Sequence, residues 1–273
     1  MNGKPTSIMF NHPGGERVLN SSEIMNKVAL WNSGKHSRKY VEVDGEYLSS
    51  LIATPMKAML GFWTEWEAPS SFKRVNNTIS GFPLYIHTPL KPAKPNSNQL
   101  LNTDPCVFGD YFLYSNCQQY TCQGKQATVL QNLEPGDVII FGSYVSGHFV
   151  VDTVFVIQDV ISFNRRHVKS KSIHQVPLWY YDLTLNFLMS THKLYIGATS
   201  SQPFSGMFSF FPSVTVSQKP CGFSRPVVLN QYNKGRFRGF KYKGLDAPEI
   251  LWNQVVQETL SAGLMLGISA EAP

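Results

Sequence analysis

The chain carries little charge and little cysteine for its size. Of 273 residues, 15% are Asp, Glu, Lys or Arg and 4 are cysteine. So few thiols in so long a chain do not make a disulfide framework. Cys117 and Cys122 form a CxxxxC pair, with Cys106 upstream and Cys221 far downstream. The second close pair of a zinc ribbon is missing, so buried reduced thiols are expected rather than bound zinc. Nothing matches HExxH, an EF-hand loop or a phosphate loop. There is no internal repeat, no low-complexity tract and no apolar run long enough for a membrane-spanning helix. The opening MNGKPTSIMFNHPGG lacks the apolar core of a secretory signal, so a soluble cytoplasmic protein is the expectation.

What is there is aromatic and rich in turn formers. The 18 Phe, 12 Tyr and 5 Trp, with 17 Pro and 20 Gly, suit a β-rich fold with many turns. The densest stretch is Leu133 to Ile157, LEPGDVIIFGSYVSGHFVVDTVFVI. Pro135 and Gly136 take the two middle places of a type II turn. Val138 to Phe141 and Phe149 to Ile157 are apolar runs of strand length. Asp152 interrupts the second run, and strand alternation places it on the face of His148, Val150, Val154 and Val156. A carboxylate among valines costs several kcal/mol unless it is paired, so Asp152 is either an anchor accepting backbone or Arg hydrogen bonds or part of a site.

Further elements follow from the same rules. Ile8 to Phe10 reads as a strand entering a turn at His12-Pro13-Gly14-Gly15. Glu23 to Trp31 reads as a helix capped by Ser21 or Ser22. Asp44-Gly45 is the strongest hairpin signal, flanked by Arg38 to Val43 and Glu46 to Leu48. Met59 to Glu67 reads as a strand, Pro177 to Leu188 is ambiguous, and Met207 to Phe211 and Ser213 to Ser217 read as strands. Pro248 to about Leu264 reads as a closing helix. The predicted fold is mainly β (α+β): an antiparallel, partly closed barrel-like sheet with a few peripheral helices, including a C-terminal one. It is expected as a single globular domain, 1–273. The proline-rich connection 88–105 is where an N-terminal lobe, 1–90, would part from a barrel-containing lobe, 100–273.

The stretch LEPGDVIIFGS followed by FVVDTVFVI resembles the part of PUA-like barrels (the ASCH and EVE type) where a PGD turn enters a strand and a second apolar strand returns. The resemblance is confined to residues 133–157. It implies a small β-barrel with a cleft for RNA or modified bases, and it carries over no functional residue.

Charge is distributed unevenly. Residues 164–243 hold twelve Lys or Arg against one acid, Asp182, a net +11, while the other 193 residues hold 12 basic and 17 acidic side chains, a net −5. Such a split points to an anionic partner. The expected partner is a nucleic acid or nucleotide. Arg165, Arg166, Lys169, Lys171, Arg236, Arg238, Lys241 and Lys243 would hold phosphates, and Trp63, Phe237, Phe240 or Tyr242 would stack on bases. This reading requires the two cationic runs to fold onto a common groove, and it calls for no cofactor.

A competing expectation is a hydrolase or nuclease dependent on a divalent metal. Glu65 and Glu67, two apart on a strand with Trp63, would project to one face and share an ion or flank a reacting bond. Asp104, Asp110 or Asp152 would complete the site, with His148 as proton carrier. A dyad of His148 and Asp152 activating Cys117 is a weaker variant of the same idea. A purely protein-binding module would use the same exposed aromatics.

Overall fold

The computed structural model describes residues 6–12, 14–32, 36–76, 79–94, 100–121, 126–164, 176–188, 191–227 and 248–273. In chain order its strands are β1 (Ser7–His12), β2 (Val28–Ala29), β3 (Lys39–Leu48), β4 (Met56–Thr64), β5 (Ser70–Arg74), β6 (Tyr85–Pro89), β7 (Leu113–Tyr114), β8 (Val138–Val145), β9 (His148–Phe163), β10 (His192–Gly197), β11 (Phe211–Thr215) and β12 (Met265–Ala270). Among the described residues three α-helices accompany them: α1 (Ser21–Asn26), α2 (Leu178–Leu183) and α3 (Pro248–Ser261). The expected mainly β fold with few helices is what the chain adopts.

Two sheets carry the architecture. One is five-stranded, in the order β1-β8-β9-β10-β7. In the other, β3, β4, β11 and β12 pair antiparallel in a ring, because β12 bonds both β11 and β3. The result is a closed four-stranded barrel, which leaves those four strands without a free edge. Strands β6, β5 and β2 extend it from β3.

The long apolar runs of β8 and β9 have a simple cause: both faces of their sheet are covered. Phe10, Phe141, Phe155 and Ile157 belong to one core, with Leu60 and Phe62 of the barrel. Val138, Ile140, Val154 and Val156 belong to a second, under Leu251, Trp252, Val255 and Val256 of α3. A bulge shifts the pairing between Phe141/Thr153 and Gly142/Val151, leaving Asp152 as the extra residue. Phe149 and Val151 lie on the α3 side before the bulge, and Val154 and Val156 after it. Unbroken alternation therefore fails here, and Asp152 does not share a face with Val154 and Val156.

Several boundaries differ from expectation. Asp44-Gly45 is not a turn; β3 runs straight through it. A Cβ on Gly45 would sit 2.3 Å from the Ser269 carbonyl oxygen, so the glycine admits β12 alongside. Asn20, not a serine, caps α1, closing a reciprocal box with Glu23, and Lys27 ends the helix in the left-handed region. β12, which closes the barrel, was not anticipated beyond the C-terminal helix. Its glycine at 267 faces Phe211, where a Cβ would clash at 2.1 Å. No described helix is long and apolar enough to cross a membrane.

Candidate functional site

The two sheets meet where β1 ends, β3 begins and β4 ends. β1 runs parallel to β8, with His12 opposite Ser143. After β1 the chain turns through Gly14-Gly15. A Cβ on Gly14 would sit 2.2 Å from that of Ser143, so this turn needs glycine to lie against β8. Gly15 then accepts the backbone N–H of Arg38 at 2.9 Å, and Arg17 donates to the Arg38 carbonyl at 2.8 Å. This pins the entry of β3 beside the end of β1.

A line of alternating charges crosses that seam. Arg225 Nη1 lies 3.3 Å from Asp152 Oδ1, and Arg38 Nε lies 2.7 Å from Asp152 Oδ2. Arg38 Nη1 donates to Glu65 Oε2 at 2.9 Å. On its far side, Glu65 Oε1 is 2.7 Å from His36 Nδ1, which is also 3.6 Å from Glu67 Oε1. His12 Nδ1 lies 2.9 Å from Glu65 Oε2. Its ring stacks on that of His36, 5.5 Å between centroids. Arg38, Asp152, Glu65 and His12 are buried, whereas the His36 side chain is 38% exposed. The line thus starts in the interior and opens to solvent at one end.

Burial and pairing set the charge states. Burial alone would raise the Glu65 carboxyl, but His12, Arg38 and His36 outweigh it and hold that group well below the usual range. Glu67 goes the other way, pushed up to about 8 by burial and by the neighbouring Glu65 charge, against the backbone N–H it accepts from Asn102. The hydrogen bond to Glu65 raises the His36 imidazole despite partial burial. Burial lowers that of His12 despite Glu65.

A cavity of about 650 Å³ adjoins the Arg225 end. Its walls are Gly14 to Glu16, Trp63, the 79–82 turn with Leu84, Tyr144 to Ser146, Val150, and Ser224 with Arg225. Glu16 fixes one wall by accepting the backbone N–H groups of Leu84 and Tyr85, at 2.8 and 3.0 Å. Arg225 lies 5.1 Å from the centre of the Trp63 ring, and it donates to Asp152, Ser143 and the Gly14 carbonyl.

The expected site residues fall into three groups. Glu65, Glu67 and Asp152 do converge, but not as a strand face: β4 ends at Thr64, and both glutamates lie in the irregular stretch beyond it. Glu65 reaches Asp152 through Arg38. Trp63 is not an open stacking platform; it is 3% exposed and its Nε1 donates to the Phe223 carbonyl. His148 is exposed at the tip of the β8–β9 hairpin, opposite Val145, and the partners of Asp152 are the two arginines instead.

Cys117 is buried with its thiol pushed well up by burial, which unfits it as a nucleophile. Cys122 lies outside the described residues. Asp110 lines a separate cavity with Asp44, Glu46 and Glu271. Asp104 is an internal anchor, accepting the backbone N–H groups of Ser115, Asn116 and Cys117.

Arg165, Arg166, Lys169, Lys171, Arg236, Arg238, Lys241, Lys243, Phe237, Phe240 and Tyr242 also lie outside the described residues. The last described residues before them are Asn164, just past the end of β9, and Val227, which pairs with Val150 near the start of β9. Along an extended strand, Val150 to Phe163 spans roughly 40 Å.

His12, His36 and Arg38 were not singled out from sequence. In the sequence His12-Pro13-Gly14-Gly15 reads only as a turn, and no spacing rule joins positions 12, 36, 38, 65 and 152. Fold and seam together define a mainly β protein with a closed four-stranded barrel and a buried, charge-alternating cluster beside a cavity. No protein-family model, curated protein or solved structure matches the chain.

Proposed function

We propose that the protein binds a nucleic acid or nucleotide, with the cavity between Gly14-Gly15 and Ser224-Arg225 taking part of the ligand. The observation that carries this reading is one of placement. The segment containing Lys234, Arg236, Arg238, Lys241 and Lys243 begins immediately after Val227, and its partner Val150 lines the cavity. Cations on that segment neutralise phosphates and release counterions, while its Phe237, Phe240 and Tyr242 offer faces for stacking. The cavity volume is within the range of small-ligand sites, roughly 300–1,000 Å³. Arg225 shapes this wall of the cavity through its hydrogen bonds to Asp152, Ser143 and the Gly14 carbonyl. The other cationic run, Arg165 to Lys171, begins at the opposite end of β9, so the reading leans on the run that begins at Val227.

The test is a salt titration of binding to labelled mixed-sequence oligonucleotides, read by fluorescence anisotropy. Affinity should fall linearly in log–log form as salt rises. Arg236→Ala with Arg238→Ala should weaken binding to all sequences alike and flatten the slope by about two phosphate contacts. A salt-independent affinity, or a slope unchanged in the double variant, would remove the polyanion reading.

A further inference from the structure

The exposed end of the seam has a chemistry that polyanion binding does not use. We infer that His36, Glu65 and Glu67 form a binding site for a divalent transition-metal ion. One donor atom from each, His36 Nδ1 and a carboxylate oxygen from each glutamate, lies within 4.8 Å of the other two. This inference does not depend on the nucleic-acid reading; it names the ion that a hydrolytic use of these carboxylates would need.

Three features of the geometry point to an ion. The first is the reach of the donors. An ion about 2.1 Å from each of several N and O ligands sets neighbouring donors roughly 3 Å apart. His36 and Glu65, now 2.7 Å apart, need to part by only a few tenths of an ångström, and Glu67 at 3.6 Å needs to close by about as much.

The second feature is a further buried donor at the same carboxylate. His12 is 2% exposed, and its Nδ1 faces Glu65 Oε2 at 2.9 Å. An imidazole nitrogen in that position either steadies the carboxylate or moves in as a further ligand.

The third is outer-shell support of the kind metal carboxylates require. Arg38 Nη1 holds Glu65 Oε2 at 2.9 Å, leaving Oε1 turned toward His36, and the backbone N–H of Asn102 holds Glu67 Oε2 at 2.9 Å, leaving Oε1 on the same side. The positive charge of Arg38 is answered by Asp152 at 2.7 Å, away from the ion.

The donor set selects the class of ion. One imidazole with two carboxylates suits zinc, cobalt, manganese or ferrous iron better than calcium or magnesium, which take all-oxygen shells. Three protein ligands leave coordination positions open. The partly exposed ring of His36 marks the side from which water or a substrate oxygen would approach.

The experiment uses the full chain, stripped with a chelator and titrated with Co²⁺ and Zn²⁺ alone. Expected is one equivalent of Co²⁺ with visible d–d absorption, displaced by Zn²⁺. His36→Ala and Glu67→Gln should each weaken binding by at least about ten-fold, while His148→Ala, at the far hairpin tip, leaves it unchanged. Circular dichroism and a thermal melt establish that each variant is folded. Glu65 is left intact because its loss would remove one of the two carboxylates that pair with the buried Arg38. Absence of a saturable Co²⁺ spectrum overturns the inference, and so does affinity unchanged in either His36→Ala or Glu67→Gln.

Discussion

Glu65 and Asp104 are both fully buried carboxylates, yet the molecule treats them in opposite ways. Glu65 is surrounded by cationic or protonatable side chains from two separate segments, His12 at the end of β1 and His36 with Arg38 at the entry of β3. Asp104 is held by three consecutive backbone N–H groups, those of Ser115, Asn116 and Cys117, at 3.2, 2.9 and 2.7 Å. Burial pushes both acids up. In Glu65 the side-chain cations win and the group stays ionised, whereas in Asp104 burial outweighs the N–H donors and the carboxyl rises to about 6. Full opposite charges at contact outweigh dipoles inside a low-dielectric interior. A site meant to keep its charge is therefore built from charged side chains, and a structural anchor mainly from consecutive backbone N–H groups, here joined by the Tyr180 hydroxyl at 3.3 Å.

The comparison breaks most sharply at Arg38, which serves Glu65 and Asp152 together. Arg38→Met keeps an unbranched apolar stem and removes the guanidinium cation. It leaves two buried carboxylates short of a partner, a loss expected to cost about 3–5 kcal/mol. Urea denaturation at neutral pH measures it. A cost below about 1 kcal/mol would mean that His12, His36 and Arg225 alone keep those acids charged.

The two regions also differ in how much of them the sequence discloses. Asp152 announced itself as a carboxylate in an apolar run, and Glu65 and Glu67 as a close acidic pair. These signals are local, and all three residues belong to the seam. Their partners His12, His36 and Arg38 sit in ordinary surroundings, and only the pairing of β1 with β8 and of Gly15 with Arg38 brings them together. The strands β8 and β9 were legible because a sheet covered on both faces demands unbroken apolar runs. The Asp152 bulge was not, since one inserted residue leaves no mark on composition. β12 escaped for a related reason: MLGISA is short, lacks clear alternation and follows a strong helix, so only closure of the barrel requires it to be a strand.

Asp104→Asn gives a smaller effect with a diagnostic slope. An amide offers one oxygen to three N–H donors, which costs about 1–3 kcal/mol. Asp104 folds with its carboxyl raised from 3.8 to about 6. The stability this shift confers is fully present below pH 3.8 and is lost as pH rises through 6. The variant does not titrate at that position. Its deficit should therefore be larger at about pH 4 than at about pH 7.5, read from paired urea titrations. A deficit that grows with pH would show the three N–H bonds outweighing burial, and the contrast with Glu65 would disappear.

The smallest effect tests the same rule with the sign of the charge reversed. Lys39 follows Arg38 directly and is equally buried, but its Nζ has a backbone carbonyl, that of Ala68 at 2.9 Å, where Arg38 has carboxylates. Burial, with the Arg17 charge nearby, brings its amine down from 10.5 to about 7. Between those values the unfolded chain holds a proton that the folded chain lacks, so stability is lost as pH falls from 10.5 toward 7 and stays low beneath it. Lys39→Met removes the charge while filling nearly the same volume, at the expense of leaving the Ala68 carbonyl without that donor. The two terms oppose, and a net gain of about 1 kcal/mol is expected near pH 6, shrinking as pH approaches 10. Chemical denaturation of both proteins at those two pH values gives the sign. A variant less stable than the parent at about pH 6 would mean that a single carbonyl suffices to hold a buried ammonium, and the division between charge-held and backbone-held groups would then fail on the cationic side.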